Sequence, residues 1–370
     1  MGEWIHLRRA AGCLLVAITL WGPGALSAQA ISVRDVAGRS VSLAAPARRI
    51  VIDDARYLVA LSLIHPDPVS VLAGWPRDVN RLGEQTYARY LERFPQLARV
   101  GQTSSSAGTF SVELTLAARP DLAIFTLGMG PTEQELRQLE RAGIPVVFLD
   151  FFSQPFENLE RSLSILGQVT GRKTQADAFI QLRRERMAAI TERLRAASPE
   201  VPTVFLEAHA GISEECCNSP GRGNIGDYIT FVGGHNIGAD VLPGPTGRLN
   251  LEYVISRDPD VYVATGGPHL ERVGGLVVGP GYTEAVARAA LAKMAGRRGI
   301  AQLGAVQRGR VHGLSHQLLN SPLDILAVEV LARWIHPEIF SDLDPEATLA
   351  EINRRFLAVP IEGAHWVDLR

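Results

Sequence analysis

The hydrophobic pattern changes period along the chain, and each change marks an element. Two short apolar–polar alternations, Ile31 to Val36 and Val41 to Leu43, flank Ala37-Gly38-Arg39-Ser40 and predict a small hairpin. Arg49 to Ile52 reads as a short apolar strand. Leu58 to Ile64 reads as a helix stopped by His65-Pro66-Asp67-Pro68, and Val69 to Leu72 as a strand leading to Gly74-Trp75-Pro76. After Val100-Gly101 and a polar Ser/Gly stretch, the apolar spacing over 112–117 suits a short helix. Pro120-Asp121 then turns into the strand Leu122 to Phe125. Thr132 to Ala142 is a polar-rich helix, and Pro145 to Leu149 the next strand. Strands alternating with helices imply parallel βαβ units.

From Phe156 to Ala197 the period is helical, with Gly171 as the natural break. Such a stretch reads as a stiff connection over 156–198 between an N-terminal α/β lobe, 31–155, and a C-terminal α/β lobe, 199–370. The second half repeats the first. Val201 to Glu207 is a strand, and a Gly-rich loop leads to a helix over Asp227 to Val232 and to Gly233-Gly234-His235-Asn236. Asn250 to Asp260 then reproduces the earlier unit: a polar lead-in, a Glu opening a short helix, Pro-Asp, and the apolar strand Val261 to Ala264. Tyr282 to Met294 is a helix, Arg310 to Leu314 a strand, Ser321 to Trp334 a long amphipathic helix, and Glu346 to Phe356 the last helix. Two occurrences of one unit predict two lobes of similar architecture.

Composition alters this picture in two places. The net charge of −2 supplies no global field toward nucleic acid or an acidic membrane. The first thirty residues read as a cleavable signal peptide rather than fold: Arg8 and Arg9, the apolar stretch Ala10 to Trp21, and the small-residue site Ala28-Gln29-Ala30. The competing reading is an N-terminal anchor, against which the stretch is short. An exported, periplasmic chain from about Ile31 retains Cys216 and Cys217 alone, adjacent in an oxidising compartment, so no disulfide can join distant segments.

Several motifs occur in order across nearly the whole mature chain: Val33-Arg34-Asp35 with Gly38-Arg39 and Arg49-Ile50-Val51; Val100-Gly101; Glu113 with Arg119-Pro120-Asp121-Leu122; Gly233-Gly234 with Asn236; Glu252 with Asp258-Pro259-Asp260; and Gly309-Arg310-Val311. In this combination the chain resembles the periplasmic substrate-binding proteins of ABC importers for iron–siderophore, haem or cobalamin. The resemblance implies two three-layer α/β lobes joined by a single long helix, with the ligand cleft between them and modest lobe closure. It also implies a monomeric carrier, not an enzyme, without a cofactor of its own. Its partners would be a small-molecule metal chelate and an ABC permease at the inner membrane. In that family one surface glutamate on each lobe docks onto permease arginines, and Glu113 and Glu252 match those positions. Bidentate carboxylate–arginine pairing would supply the contact. The structural alternative is that each glutamate favours its helix start through the helix dipole.

Strand ends and their loops line the cleft in such folds. In the first lobe the candidates are Arg56, Tyr57, Trp75, Arg77 and Ser104 to Ser106, with arginine pairing an anionic chelate and the aromatics packing its periphery. In the second lobe His209 follows a strand end, and its loop carries Cys216-Cys217. That pair reads as a rigid vicinal disulfide in the pocket wall, a thiolate pair for a soft metal, or a redox couple. Gly221-Arg222-Gly223-Asn224-Ile225-Gly226 matches a dinucleotide fingerprint formally, but no strand immediately precedes it. It reads instead as a turn able to meet an anionic group. Tyr282 and His316-Gln317 are cleft-edge positions, and Tyr57, His209 and His269 are candidate haem ligands.

The rival class is a secreted redox enzyme using Cys216 and Cys217, since no G-x-S-x-G, H-E-x-x-H or P-loop pattern occurs. Within the binding class the order of expectation is iron–siderophore first, then cobalamin, haem or another chelate.

Overall fold

A computed structural model describes Met1, Gly2 and residues 30–104 and 109–370. Nearly all of the expected signal segment, and Ser105 and Ser106, lie outside the described residues. The first lobe is built on five strands: β1 (Ile50–Ile52), β2 (Leu72–Trp75), β3 (Gly101–Gln102), β4 (Leu122–Thr126) and β5 (Val146–Leu149). Their order is β3-β2-β1-β4-β5 and all pairings are parallel. Every residue of β1, β4 and β5 is buried, the continuous apolar run demanded of a parallel sheet covered on both faces.

The second lobe repeats this plan with β6 (Thr203–Glu207), β7 (His235–Asn236), β8 (Val261–Gly266), β9 (Val311–Ser315) and β10 (Trp366–Asp368). The order is β7-β6-β8-β9-β10, with β10 antiparallel at one edge. The repeated motif has one local structure in both lobes. Ser111 and Asn250 cap the short helices Val112–Ala117 and Leu251–Arg257 with their side chains. Arg119 and Asp258, each just before the proline, adopt left-handed backbone with φ of 47° and 39°. Asp121 then accepts from the backbone N–H groups of Arg48 and Arg49 at 2.8 and 2.9 Å. Asp260 likewise accepts from the N–H and hydroxyl of Thr203 at 2.9 and 2.8 Å. Each Pro-Asp therefore clamps the strand that begins beside it.

The N-terminal hairpin is tied down by Asp35, whose buried carboxylate accepts from Arg39 N–H at 2.8 Å and from Phe148 N–H in β5 at 3.1 Å. This accounts for the aspartate and the Gly-Arg of that motif.

The helical stretch expected over 156–198 forms two helices, Pro155–Val169 and Lys173–Ala197, which meet at Gly171, the break read from the sequence, with φ of 69°. Glycine takes that conformation without the steric cost a side chain would add. The second helix, roughly 37 Å long at 1.5 Å per residue, is the spine. It packs on the helix Tyr57–Ile64 of the first lobe and on Asp324–Ile335 and Pro337–Phe340 of the second. One hydrophobic cluster runs from Ile50 and Leu61 through Phe179 and Ile190 to Val204 and Ile325, so the lobes share a core along the spine. Within it Arg183, nearly fully buried, donates to both oxygens of Asp324 at 2.9 and 2.7 Å and to Glu160 at 2.9 Å. The chain crosses back once more near its end, where the N–H groups of Ala358 and Val359 donate to Ser62 of the first lobe.

Candidate functional site

Strand order reverses between β1 and β4 in the first sheet and between β6 and β8 in the second. The carboxyl ends of strands at such reversals open crevices in α/β sheets. The loops leaving these ends, and the short helix His316–Leu319 after β9, face one another across a cleft of about 360 Å³. Arg56, Arg81, Met129 and Phe152 form its first-lobe wall. His209, His269, His316, Gln317 and Asn320 form the other.

The first wall is organised by a carboxylate. Arg56 grips Asp54 with two hydrogen bonds of 2.9 and 2.7 Å, and Arg81 adds a third at 2.9 Å. Burial pushes the Asp54 carboxyl up, but Arg56 and then Arg81 outweigh it and hold the group below the usual carboxylate range. Arg81 also pairs with Asp78 at 3.1 Å, so the wall presents two guanidiniums whose charge is balanced by Asp54 and Asp78. Asp53, the neighbour of Asp54, has no arginine bound to it; its oxygens accept from the N–H and hydroxyl of Thr126 at 2.8 and 3.1 Å. Burial raises its pKa to about 7, with the Asp54 charge adding to the effect against the Thr126 hydrogen bonds.

The second wall is a cluster of imidazoles. His209 Nδ1 lies 2.8 Å from His269 Nε2, and the His209 ring packs 3.8 Å, centroid to centroid, from that of His316. Thr265 at the end of β8 anchors the group: its hydroxyl accepts from His209 N–H at 3.1 Å and lies 2.9 Å from His316 Nδ1. His209 has left-handed backbone, with φ of 52°, as the chain turns off β6. Burial, then the proximity of His269, lowers the His209 pKa to about 4; burial alone lowers that of His269. Burial followed by the other two rings drives His316 well below the ordinary value. All three rings are therefore neutral at pH 7, able to offer lone pairs or N–H groups to a ligand. Among the described residues no group of three or more His, Cys, Asp or Glu is arranged to hold a metal ion.

Of the residues singled out in the sequence, Arg56 and His209 line the cleft, as do His269 and His316-Gln317. Tyr57 is buried, donates to Leu149 O at 3.3 Å and lines a small side pocket of about 20 Å³ that shares Arg56, Phe152 and Asn320 with the cleft. Tyr282 lies in an adjoining groove with Glu84, Glu271 and His269. Its hydroxyl is raised to about 12 by burial and then by Glu271. Four residues fall elsewhere. Trp75 is fully buried against Tyr87 in the first-lobe core, because the end of β2 turns its side chain inward. Arg77 turns away to donate to the carbonyls of Ala98 and Val100. Cys216 and Cys217 form a vicinal disulfide across a cis peptide bond, but they pack on the second-lobe core with Cys217 fully buried and line neither cleft nor groove. The Gly-rich turn at 221–226 likewise lines neither space; Arg222 is exposed, and the turn is held by Asn236, whose amide donates to Pro220 O and Gly221 O.

Arg81, Met129, Phe152 and Asn320 escape the sequence reading. Arg81 lies in the four-residue helix Val79–Leu82 and the other three in turns and bends, segments too short or irregular for periodicity to give orientation. Glu113 and Glu252 are exposed, each the second residue of its short helix.

The periplasmic binding protein family matches residues 61–318, well over half of the chain, and the chain belongs to that family. Its curated relatives include an uncharacterized ABC transporter substrate-binding lipoprotein, YvrC, of Bacillus subtilis. That protein is 23% identical over 268 residues, covering 70% of this chain and 74% of the relative. The vitamin B12-binding protein of Salmonella paratyphi A is 26% identical over 225 residues, covering 57% and 79%. Among solved structures, the TroA-like periplasmic binding protein FepB from Veillonella parvula superposes with a TM-score of 0.81 at 24% identity, covering 92% of this chain and all of that one. The fold is therefore that of the TroA-like binding proteins, and the chain is a substrate-binding component of the ABC transporter class. Among the described residues no helix is long and apolar enough to cross a membrane.

Proposed function

We propose that this protein captures a metal chelate between its lobes and delivers it to an ABC permease, and that the chelate is an anionic ferric siderophore. The cleft carries the reading. Its volume suits an organic chelate rather than a bare ion, and its two walls divide the work. Arg56 and Arg81 draw and orient anionic oxygens, and Phe152 and Met129 pack the ligand's organic surface. The uncharged imidazoles face the metal-bearing centre, where they can donate to ligand oxygens or fill an open coordination position. Delivery follows from Glu113 and Glu252, equivalent exposed carboxylates on the two lobes, which would pair with permease arginines.

A corrinoid is the second reading, favoured by the similarity to the vitamin B12-binding protein. Charge separates the two. Isothermal titration at pH 7 with ferric enterobactin, cyanocobalamin, haemin and free ferric, nickel and zinc ions tests both. The proposal expects tight binding of the ferric enterobactin anion, weakened at least ten-fold by Arg81→Gln. Cyanocobalamin binding insensitive to that change moves the corrinoid reading to the front. Binding of bare ions alone overturns the chelate reading.

A further inference from the structure

Arg56, Arg81 and Gln317 belong to two spaces at once. Behind them the cleft continues into a small chamber of about 40 Å³ between the lobes. Val59 and Leu82 of the first lobe and Leu318, Leu323 and Ile361 of the second give it apolar walls. Besides the residues shared with the cleft, its polar lining is Thr86, Ser321 and, on the C-terminal segment leading into β10, His365. His365 is 4% exposed, and neither ring nitrogen has a hydrogen-bond partner. Burial lowers its pKa to about 4, so the ring is neutral and presents one N–H donor and one bare nitrogen acceptor. A buried donor and acceptor left unmatched in an apolar wall cost folding free energy unless something fills the space and pairs with them.

Resting on the chelate reading above, we propose that this chamber is a second ligand subsite. It would receive a short uncharged arm of the chelate ending in an amide or hydroxyl, with His365 as the residue that reads it. An amide or hydroxyl offers one donor and one acceptor, the complement of neutral imidazole. A carboxylate would be met by Arg56 and Arg81, which the chamber shares with the cleft, whereas at His365 a carboxylate or ammonium would find only one nitrogen of the sign it needs. The arm passes Arg56 and Arg81, so the charged part of the same ligand remains in the main cleft. Both lobes build the chamber, and a ligand that fills it holds them together.

The test compares His365→Leu and His365→Gln with the native protein by isothermal titration against ferric enterobactin, cyanocobalamin and haemin. Each variant is first checked for an unchanged far-ultraviolet spectrum. Leucine keeps the volume and removes both polar atoms; glutamine keeps a donor and an acceptor. The expected result is that a probe bound by the native protein loses about ten-fold or more in affinity with leucine and recovers most of it with glutamine. A probe bound equally well by the native protein and the leucine variant overturns the subsite and leaves the chelate reading standing. Failure of every probe to bind the native protein overturns both. Should the leucine variant not fold, the His365 ring resonances of the native protein decide. Displacement on adding a bound probe supports the subsite, and an unmoved ring overturns it.

Discussion

In the first lobe the carboxylate that follows the central strand, Asp54, is held by Arg56 and Arg81, and both guanidiniums line the cleft. In the second lobe the carboxylate at the end of β6, Glu207, is held by Arg297 and by the Tyr262 hydroxyl at 2.5 Å, and none of the three lines the cleft. The same strand end thus carries a buried acid in both halves, but its partners face the cleft in one and the interior in the other. What the second lobe turns toward the cleft is the imidazole cluster set just beyond the strand ends. The comparison teaches that a repeated fold fixes where chemistry can be placed and leaves open which chemistry it is. One wall presents permanently charged guanidiniums; the other is uncharged at neutral pH.

The sharpest way to break the comparison is to cut what holds the two walls in register. Asp324 receives two hydrogen bonds from Arg183 on the spine and one from the Tyr228 hydroxyl at 3.1 Å, all of it buried. Removing Asp324 leaves the buried Arg183 guanidinium with only the half-buried Glu160 to balance it. Asp324→Ala is therefore expected to cost about 3–5 kcal/mol, read as a lowered urea midpoint in equilibrium unfolding. A loss below about 1 kcal/mol would show that the lobes are held together by the shared hydrophobic cluster alone.

Much of this architecture is legible in the sequence, and the reason is periodicity. The Glu, Pro-Asp and apolar-strand unit at 113–125 and again at 252–264 announces two similar lobes, because each residue in it does local work: a cap, a left-handed turn, a clamp on a neighbouring strand. Arg56, His209, His269 and His316-Gln317 are reachable because they follow strand ends. Trp75 misleads, since its Gly and Pro neighbours suggest a loop while strand alternation carries its ring into the core. Cys216-Cys217 misleads for a related reason: an unusual pair invites function, but only tertiary packing shows which way it faces. Arg81, Asn320 and the His365 chamber depend on how segments more than two hundred residues apart meet across the lobes, which no local pattern records.

A smaller expected effect probes the asymmetry of the two acids. Asp53 has a folded pKa of about 7, above its unfolded value, whereas no such release is expected of the arginine-bound Asp54, whose pKa is lowered. The sign follows from linkage. The protonated Asp53 stabilises the fold fully below pH 4, and that contribution is lost as pH rises from about 4 to about 7. Asp53→Asn keeps an acceptor for Thr126 and cannot ionise. The native protein should lose a few kcal/mol over that window relative to the variant, since each ten-fold difference in proton affinity between the folded and unfolded chain is worth about 1.4 kcal/mol. Thermal unfolding midpoints measured from pH 4 to 8 check this, and parallel curves for the two proteins would refute it.

The mildest perturbation asks whether the lobes are equivalent where they face away from the ligand. Glu113 and Glu252 occupy the same helical position and are exposed in both lobes, so the docking reading treats them alike. Exposed ion pairs are worth about 1 kcal/mol at most, which sets the scale. Glu113→Ala and Glu252→Ala should each weaken stimulation of the cognate permease's ATPase in proteoliposomes by roughly five-fold in apparent affinity. Chelate binding by the isolated protein should stay unchanged. Because the two sites lie on different lobes and share no partner, the double variant should show the product of the single effects. Loss from one glutamate with none from the other would mean that a single lobe anchors the complex. The repeated glutamate would then be kept in the second lobe for its helix start rather than for a partner, and the symmetry of the fold would end at its surface as it does at its cleft.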